Sequence, residues 1–150
     1  MSSSPIPFRM HRTGWFLLAI CALIGVEIEG PSLGLPFAVF LLVSLLLHET
    51  GHMLAARALW VPVHEFGLTM GGAYNRRAFA RRRRDEILIS AAGPMMNLCV
   101  AVPCLFVPQI GTQLAMGNVA LCVVNLLPIP ASDGSRILRT LRQAGAPGAA

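Results

Sequence analysis

Residues Leu45–Trp60 read LLLHETGHMLAARALW and place His48, Glu49 and His52 in a largely apolar stretch. The preceding run, GLPFAVFLLVSLLL, contains no charged residue. An ionised side chain at the centre of a membrane-spanning helix costs about 2.5–3.5 kcal/mol on insertion scales. Such side chains are therefore retained where they are paired, hydrated or bound to a metal ion.

The spacing of the two histidines suits a metal ion. Successive residues of an α-helix rotate by about 100°, so His48 and His52 lie about 40° apart on one face. Glu49 projects from the same half of the helix. H-E-x-x-H on a helix thus offers two imidazoles to one zinc ion, with a carboxylate beside them. Three fixed residues also occur by chance, and helical histidines are often structural, so this motif alone leaves both readings open.

A hydrolytic zinc site needs a third protein ligand. Asp133, in NVALCVVNLLPIPASDGSR, is the best candidate, because Pro128 and Pro130 prevent a regular helix just before it. Irregular backbone at membrane depth is tolerated where it is buried in protein or lines a cavity. This loop can fold back toward the two histidines if the apolar segments span. The other acidic residues are poorer candidates, because they lie on the opposite membrane face or in an arginine-rich loop: Glu27, Glu29, Asp85 and Glu86.

The composition is that of a membrane protein: 55% of the residues are hydrophobic, 13% are charged, and the mean hydropathy is +0.64. Four apolar stretches predict an all-α polytopic membrane protein with about four transmembrane helices. At 1.5 Å per residue, the second and third are ~36 and ~31 Å long, enough for a hydrocarbon core of ~30 Å. The outer two are only ~22 Å long and need flanking residues to span the hydrocarbon core. The four are Gly14–Ile28, Phe37–Trp60, Ile87–Val107 and Gln113–Leu127.

The twelve basic residues are all arginines, and they fall on one side of the predicted topology. They precede the first segment, flank the connection between the second and third, and follow the fourth. The positive-inside rule then places both termini in the cytoplasm, and we expect a bacterial inner (cytoplasmic) membrane protein. The run RRRR indicates a topology anchor near anionic lipid, so the lipid bilayer is an expected partner and nucleic acid is not.

The chain divides into a cytoplasmic N-terminal segment (1–13), a membrane-embedded core (14–134) and a cytoplasmic C-terminal tail (135–150). Between the second and third segments, HEFGLTMGGAYNRRAF has Gly71 and Gly72 between two short runs. This pattern predicts a short β-hairpin.

Three motifs in register resemble those of the site-2 proteases, zinc metalloproteases that cut within the membrane. HETGH fits H-E-x-x-H, AGPMMN at Ala92–Asn97 fits A-G-P-x-x-N, and NLLPIPASDG at Asn125–Gly134 fits N-x-x-P-x-x-x-x-D-G. Many relatives carry a PDZ-type or CBS-type domain, for which these residues leave no room, so the chain resembles a minimal form. Ser132 stands where leucine is common in the family.

The resemblance implies that His48, His52 and Asp133 bind one zinc ion per chain. Glu49 would be the catalytic base that activates a zinc-bound water. The implied function is a zinc-dependent intramembrane endopeptidase that hydrolyses peptide bonds of transmembrane protein substrates.

The resemblance also implies substrate-binding residues. Asn97 and Asn125 match the motif asparagines that are thought to help place substrate, although both can equally serve as interhelical hydrogen-bonding residues. The hairpin containing Gly71 and Gly72 would dip toward the active site and pair with an unwound stretch of substrate.

Two alternatives come from other functional classes. A catalytically silent membrane adaptor would bind client helices without needing the intact set of histidine and acidic residues. A metal-ion carrier would distribute weak polar sites along a path, whereas this sequence gathers its candidate ligands in one cluster. The sequence does not indicate an oligomeric state.

Overall fold

The computed structural model describes residues 6–70 and 72–143, although the side chains of residues 28 and 29 are not included. Within these ranges the chain is mostly helical, with a small three-stranded sheet. The strands are β1 (Phe8–Met10), β2 (Val63–Thr69) and β3 (Gly72–Arg77). The helices are α1 (Gly14–Glu27), α2 (Gly30–Ala58), α3 (Arg83–Cys104), α4 (Gly111–Leu126) and α5 (Asp133–Arg142).

The turn between α1 and α2 depends on one glycine, Gly30. Gly30 has φ 75° and ψ 174°, a conformation that side-chain-bearing residues rarely adopt. The chain reverses there, and the two helices form a hairpin. The backbones of Gly25 and Gly34 approach so closely that a Cβ on either residue would overlap the backbone of the other helix. The first predicted connection is thus a tight turn. Pro31 lies in the first turn of α2, where its missing N–H costs nothing, so α2 begins well before the predicted Phe37.

Two helices are long and apolar enough to cross a membrane by length and composition. These are α2, with a mean hydropathy of 2.0 in its most apolar window, and α3, with 1.7. Helices α1 and α4 are apolar but shorter. Two of the four predicted spans therefore meet these criteria, and crossing by α1 and α4 stays a prediction.

The predicted β-hairpin is confirmed, and it belongs to a larger sheet. Strands β2 and β3 pair antiparallel, and Gly72 opens β3 with φ 120°; Gly71 lies outside the described residues. Strand β1, which was not predicted, pairs parallel to β2, with Phe8 opposite Phe66. Three residues are too few to show the alternation that marks a strand. The fold is therefore mostly helical with a three-stranded sheet, and part of segment 1–13 belongs to that sheet.

The helices α2, α3 and α4 share one buried apolar cluster, and α2 packs on α3 through a second. The first contains Phe37, Ala101 and Leu114, and the second contains Ala56, Val61 and Ile89. Small residues allow α2 and α3 to approach closely, as the sequence predicts for this region. At Gly51, for example, a Cβ would lie 2.6 Å from the carbonyl oxygen of Ala92.

A buried ion pair fixes the hairpin to the start of α3. The Arg77 guanidinium donates to both carboxylate oxygens of Glu86 at 2.8 and 2.7 Å, and the Ala80 N–H donates to the same carboxylate at 2.9 Å. Both side chains are about 95% buried, with exposures of 4% and 5%. A buried carboxylate is tolerated only when it is paired and hydrogen-bonded in this way.

Replacing Arg77 with leucine should strongly destabilise the protein, because Glu86 would stay buried without its partner. Breaking a buried pair from one side typically costs about 3–5 kcal/mol. We expect a clear drop in the thermal unfolding temperature of Arg77→Leu in detergent, and a partial recovery in the double variant that also carries Glu86→Leu. Arg76→Leu, a change at the exposed residue next to Arg77, is the control. Equal unfolding temperatures for Arg77→Leu and Arg76→Leu would contradict this account.

Candidate metal centre

Helix α2 presents His48 and His52 to a buried point between α2 and α3. Both residues are 4% exposed, their rings meet edge to face, and their Nε2 atoms lie 3.1 Å apart. The Nδ1 atom of each ring, on the side away from the other histidine, forms a hydrogen bond. His52 Nδ1 donates to the carbonyl oxygen of Ile89 at 2.7 Å, and His48 Nδ1 contacts Asn97 Oδ1 at 2.5 Å. A histidine with its Nδ1–H so engaged presents an unprotonated Nε2 to a metal.

A chain of hydrogen bonds from α4 fixes the orientation of the His48 ring. The carbonyl oxygen of Leu114 can only accept, so Asn118 must direct its Nδ2 toward it, at 3.1 Å. Asn118 Oδ1 then accepts from Asn97 Nδ2, also at 3.1 Å. Asn97 Oδ1 is thereby turned toward His48 and requires a proton on Nδ1. We call this chain the asparagine relay.

Asp133 brings a carboxylate oxygen to the two histidines, as predicted for the third candidate ligand. Its Oδ2 lies 3.1 Å from Nε2 of His48 and 3.1 Å from Nε2 of His52. The ligands of a tetrahedral zinc ion bound at about 2.0–2.1 Å lie about 3.3 Å apart, so the three atoms form a triangle of the right size. The carboxylate of Asp133 is ionised at neutral pH, and both imidazoles engage their partners through Nδ1. Three acceptor atoms therefore converge on one point, which suits a divalent cation.

Space for a cation depends on Gly93 of α3. A Cβ at this position would overlap His52 Nε2 and lie 2.7 Å from His48 Nε2. Any larger residue would therefore fill the region that the ligand atoms surround. The sequence motif AGPMMN contains this glycine, but its role was not predicted.

The loop before α5 brings Asp133 to the histidines. Ser132 caps α5 by accepting a hydrogen bond from the Ser135 N–H at 3.1 Å. Gly134 packs so tightly over the end of α4 that a Cβ would overlap the carbonyl oxygen of Leu126. Serine at position 132, where the resemblance leads one to expect leucine, thus provides the helix cap that orients the ligand.

Glu49 lies beside the ligand triangle. Its carboxylate and the two histidine rings offer ligand atoms that all lie within 4.8 Å of one another. Glu49 Oε2 accepts a hydrogen bond from Asn75 Nδ2 of strand β3 at 2.5 Å. The contact with Asn75 was not predicted from the sequence.

The predicted substrate-binding residues lie in different surroundings. Asn97 is 1% exposed and is part of the asparagine relay. Asn125 donates through Nδ2 to the carbonyl oxygen of Leu121, one turn earlier in α4, at 2.9 Å. Gly72 lies at the hairpin turn, and Gly71 is outside the described residues. A role for any of them in placing substrate stays a prediction.

Comparison with known proteins agrees with this geometry. The family model described as peptidase family M50 matches residues 36–113, which include the H-E-x-x-H motif and α3. The chain belongs to this family. The resemblance to site-2 proteases is thereby confirmed, and membership of the family together with the histidine–glutamate cluster supports a zinc site.

A curated protein and a solved structure, both from Methanocaldococcus jannaschii, are similar to this M50 chain. A zinc metalloprotease is 29% identical over an alignment that covers 91% of this chain and 42% of that protein. The M50 chain therefore spans less than half the length of this curated relative. The solved structure of a site-2 protease matches with a TM-score of 0.75 at 24% identity, covering 97% of this chain and 71% of that one. This second match shows that the two share a fold.

The Asp133→Ala variant should lose most of its zinc, because two imidazoles alone form an incomplete site. We expect about one zinc ion per wild-type chain, measured by elemental analysis after purification in detergent. Asp85→Ala, which removes a carboxylate outside the site, is the matched control and should retain zinc. Full zinc content in Asp133→Ala would exclude Asp133 as a ligand.

Gly93→Ala should also lower zinc affinity, because the added methyl group would occupy the space between the ligand atoms. The control is Gly117→Ala in α4, where a Cβ would meet only the side chain of Leu41, at 3.1 Å. Competition with a fluorescent zinc chelator measures both affinities, and far-ultraviolet circular dichroism checks that each variant is helical. Wild-type zinc affinity in Gly93→Ala would show that the site lies elsewhere.

Proposed function

We propose that the chain is the catalytic core of a zinc-dependent endopeptidase that hydrolyses peptide bonds of transmembrane proteins. The observation that carries this proposal is the convergence of His48, His52 and Asp133 beside the carboxylate of Glu49. Two of these three ligands lie in α2, a helix long and apolar enough to span a membrane.

In the proposed reaction, different side chains bind the metal ion and transfer the proton. Zinc, when bound, supplies a Lewis acid that polarises the scissile carbonyl and acidifies water. His48, His52 and Asp133 hold the ion and fix its position. Glu49 lies next to this position without belonging to the ligand triangle, so its carboxylate is available to take a proton from the attacking water. Glu49 then delivers that proton to the amine that leaves.

The proposed location is the bacterial inner membrane with both termini in the cytoplasm. The distribution of arginines supports this orientation, since neither the turn between α1 and α2 nor the connection at residues 105–110 contains one. The substrate class follows from the same setting. A substrate helix has its carbonyl groups in internal hydrogen bonds, so it has to unwind locally before attack. The edge strand β3 supplies a surface on which an unwound stretch can pair.

A silent membrane adaptor would leave the central features of the site without a purpose. Such a protein needs neither a glycine at position 93 nor a buried aspartate that faces two histidines. The endopeptidase proposal accounts for both, because both are requirements of the metal and of the space that it occupies.

Replacing Glu49 with glutamine should abolish hydrolysis and leave zinc bound. Glutamine has the same shape, and its carbonyl oxygen can still accept from Asn75, but it cannot take up a proton. We expect a fall in the initial rate of at least about 100-fold, as for the loss of a catalytic base. The measurement uses β-casein as an unfolded polypeptide substrate in detergent, with zinc content determined on the same samples.

The matched control for this experiment is Asp85→Asn, a carboxylate-to-amide change away from the site, which should leave the rate unchanged. Full activity in Glu49→Gln would show that another residue is the base. A second assay, with single-span proteins reconstituted in liposomes, identifies the cleaved bond by mass spectrometry. Cleavage only outside the apolar segment would contradict the intramembrane part of the proposal.

A further inference from the structure

The base Glu49 is held by a residue from a different part of the fold. Asn75 of β3 donates its Nδ2 to Glu49 Oε2 at 2.5 Å. A carboxylate only accepts hydrogen bonds, so the amide nitrogen of Asn75 has to face Glu49 and its Oδ1 has to point away. The other carboxylate oxygen, Oε1, has no hydrogen bond within residues 6–70 and 72–143. One carboxylate oxygen of Glu49 is thus held by a hydrogen bond, and the other can face a reacting group.

The strand that carries Asn75 is rigidly attached. Asn75 and Arg77 are two residues apart in β3, so their side chains leave the same face of the strand. That face also holds the buried pair between Arg77 and Glu86, which fixes the strand to α3. The ion pair between Arg77 and Glu86 therefore lies close to Asn75, and it restrains where the Asn75 amide can move.

Asn75 is a poor choice for stability alone. Its Oδ1 is buried and has no hydrogen-bond partner among the described residues. An unpaired buried acceptor costs free energy, which an apolar residue at this position would avoid. A polar side chain kept at such a cost indicates a role in the site.

We propose that Asn75 is a positioning residue for Glu49, and that it orients the carboxylate so that Oε1 faces the metal position. This inference rests on the proposed function for the identity of Glu49 as the base. The hydrogen bond from Asn75 fixes the rotation of the carboxylate about its last torsion, which would otherwise be broad. Asn75 itself makes no hydrogen bond to His48, His52 or Asp133 among the described residues.

The experiment compares Asn75→Ala and Asn75→Asp with the wild type. Aspartate keeps the size of asparagine but replaces the amide donor with a second carboxylate beside Glu49, whereas alanine removes the whole amide. The matched control is Arg76→Ala, the adjacent exposed residue on the opposite face of the same strand. Four quantities are measured: zinc content, thermal unfolding temperature, kcat and KM for β-casein, and the affinity for a peptidyl hydroxamate.

The hydroxamate reports on the base without turnover, because its N–OH proton is taken by a base beside the metal. We expect Asn75→Ala and Asn75→Asp to retain zinc and a cooperative thermal unfolding transition. Hydroxamate affinity and kcat should fall about 10- to 100-fold, the range for loss of one charge-assisted hydrogen bond. KM should stay within about twofold of the wild-type value, since neither substitution removes a contact with the substrate.

Three outcomes would overturn the proposal. The first is wild-type hydroxamate affinity and kcat in both variants. The second is loss of zinc together with activity, which would make Asn75 a structural residue of the metal site. The third is an equal loss in Arg76→Ala, which would attribute the effect to the strand as a whole. If the wild type binds zinc and the hydroxamate but cleaves neither casein nor reconstituted proteins, the endopeptidase proposal fails, while the hydroxamate affinities still decide the role of Asn75.

Discussion

Three acceptor atoms that face one another between apolar helices are the constraint on which the rest of the structure depends. Two imidazole nitrogens and a carboxylate oxygen repel each other unless a cation lies between them, and apolar surroundings strengthen that repulsion. The fold has to hold them 3.1 Å apart nevertheless. Gly51 and Gly93 satisfy this requirement by letting α2 and α3 approach without filling the gap.

The helices and the sheet have separate tasks at this site. Helices α2 and α3, with the start of α5, fix the ligands and leave room for the ion. The sheet contributes nothing to the ligand triangle but contacts the base through Asn75. A buried ion pair then connects the two parts, because Arg77 lies at the end of β3 and Glu86 in the first turn of α3. In the proposed mechanism, metal binding and proton transfer thus depend on different elements held in a fixed relation.

The helical period and turn chemistry made part of this site predictable from the sequence. His48 and His52 share a face in any α-helix, and two adjacent glycines between short runs indicate a hairpin. Asp133 was harder, because a loop that folds back over 81 residues leaves no periodic signal. The prolines before it made it a candidate, and the resemblance to a known family implied its role as a ligand. The predicted start of the second segment, Phe37, differs from the structure, in which α2 begins at Gly30 and contains both Pro31 and Pro36. Pro31 lies in the first turn, where a proline is tolerated.

Features that depend on contacts between distant elements could not be predicted. Strand β1 is three residues long, and its pairing with β2 joins residues 58 positions apart. Asn75 gives no local signal that it meets Glu49, since a strand fixes only which face a side chain leaves. Ser132 is an ordinary N-cap residue, but that role requires knowing where α5 begins. Each of these follows from packing in three dimensions.

The asparagine relay has a thermodynamic consequence for the bundle. The ring of His48 takes its orientation from a backbone carbonyl of α4, through Asn118 and Asn97. Docking of α4 and occupancy of the ion site are therefore linked equilibria, and linkage is reciprocal: whatever α4 adds to the affinity for the ion, the ion adds to the docking of α4. A bound ion would therefore stabilise the docked position of α4, and anything that separates α4 from α3 would weaken ion binding by the same free energy.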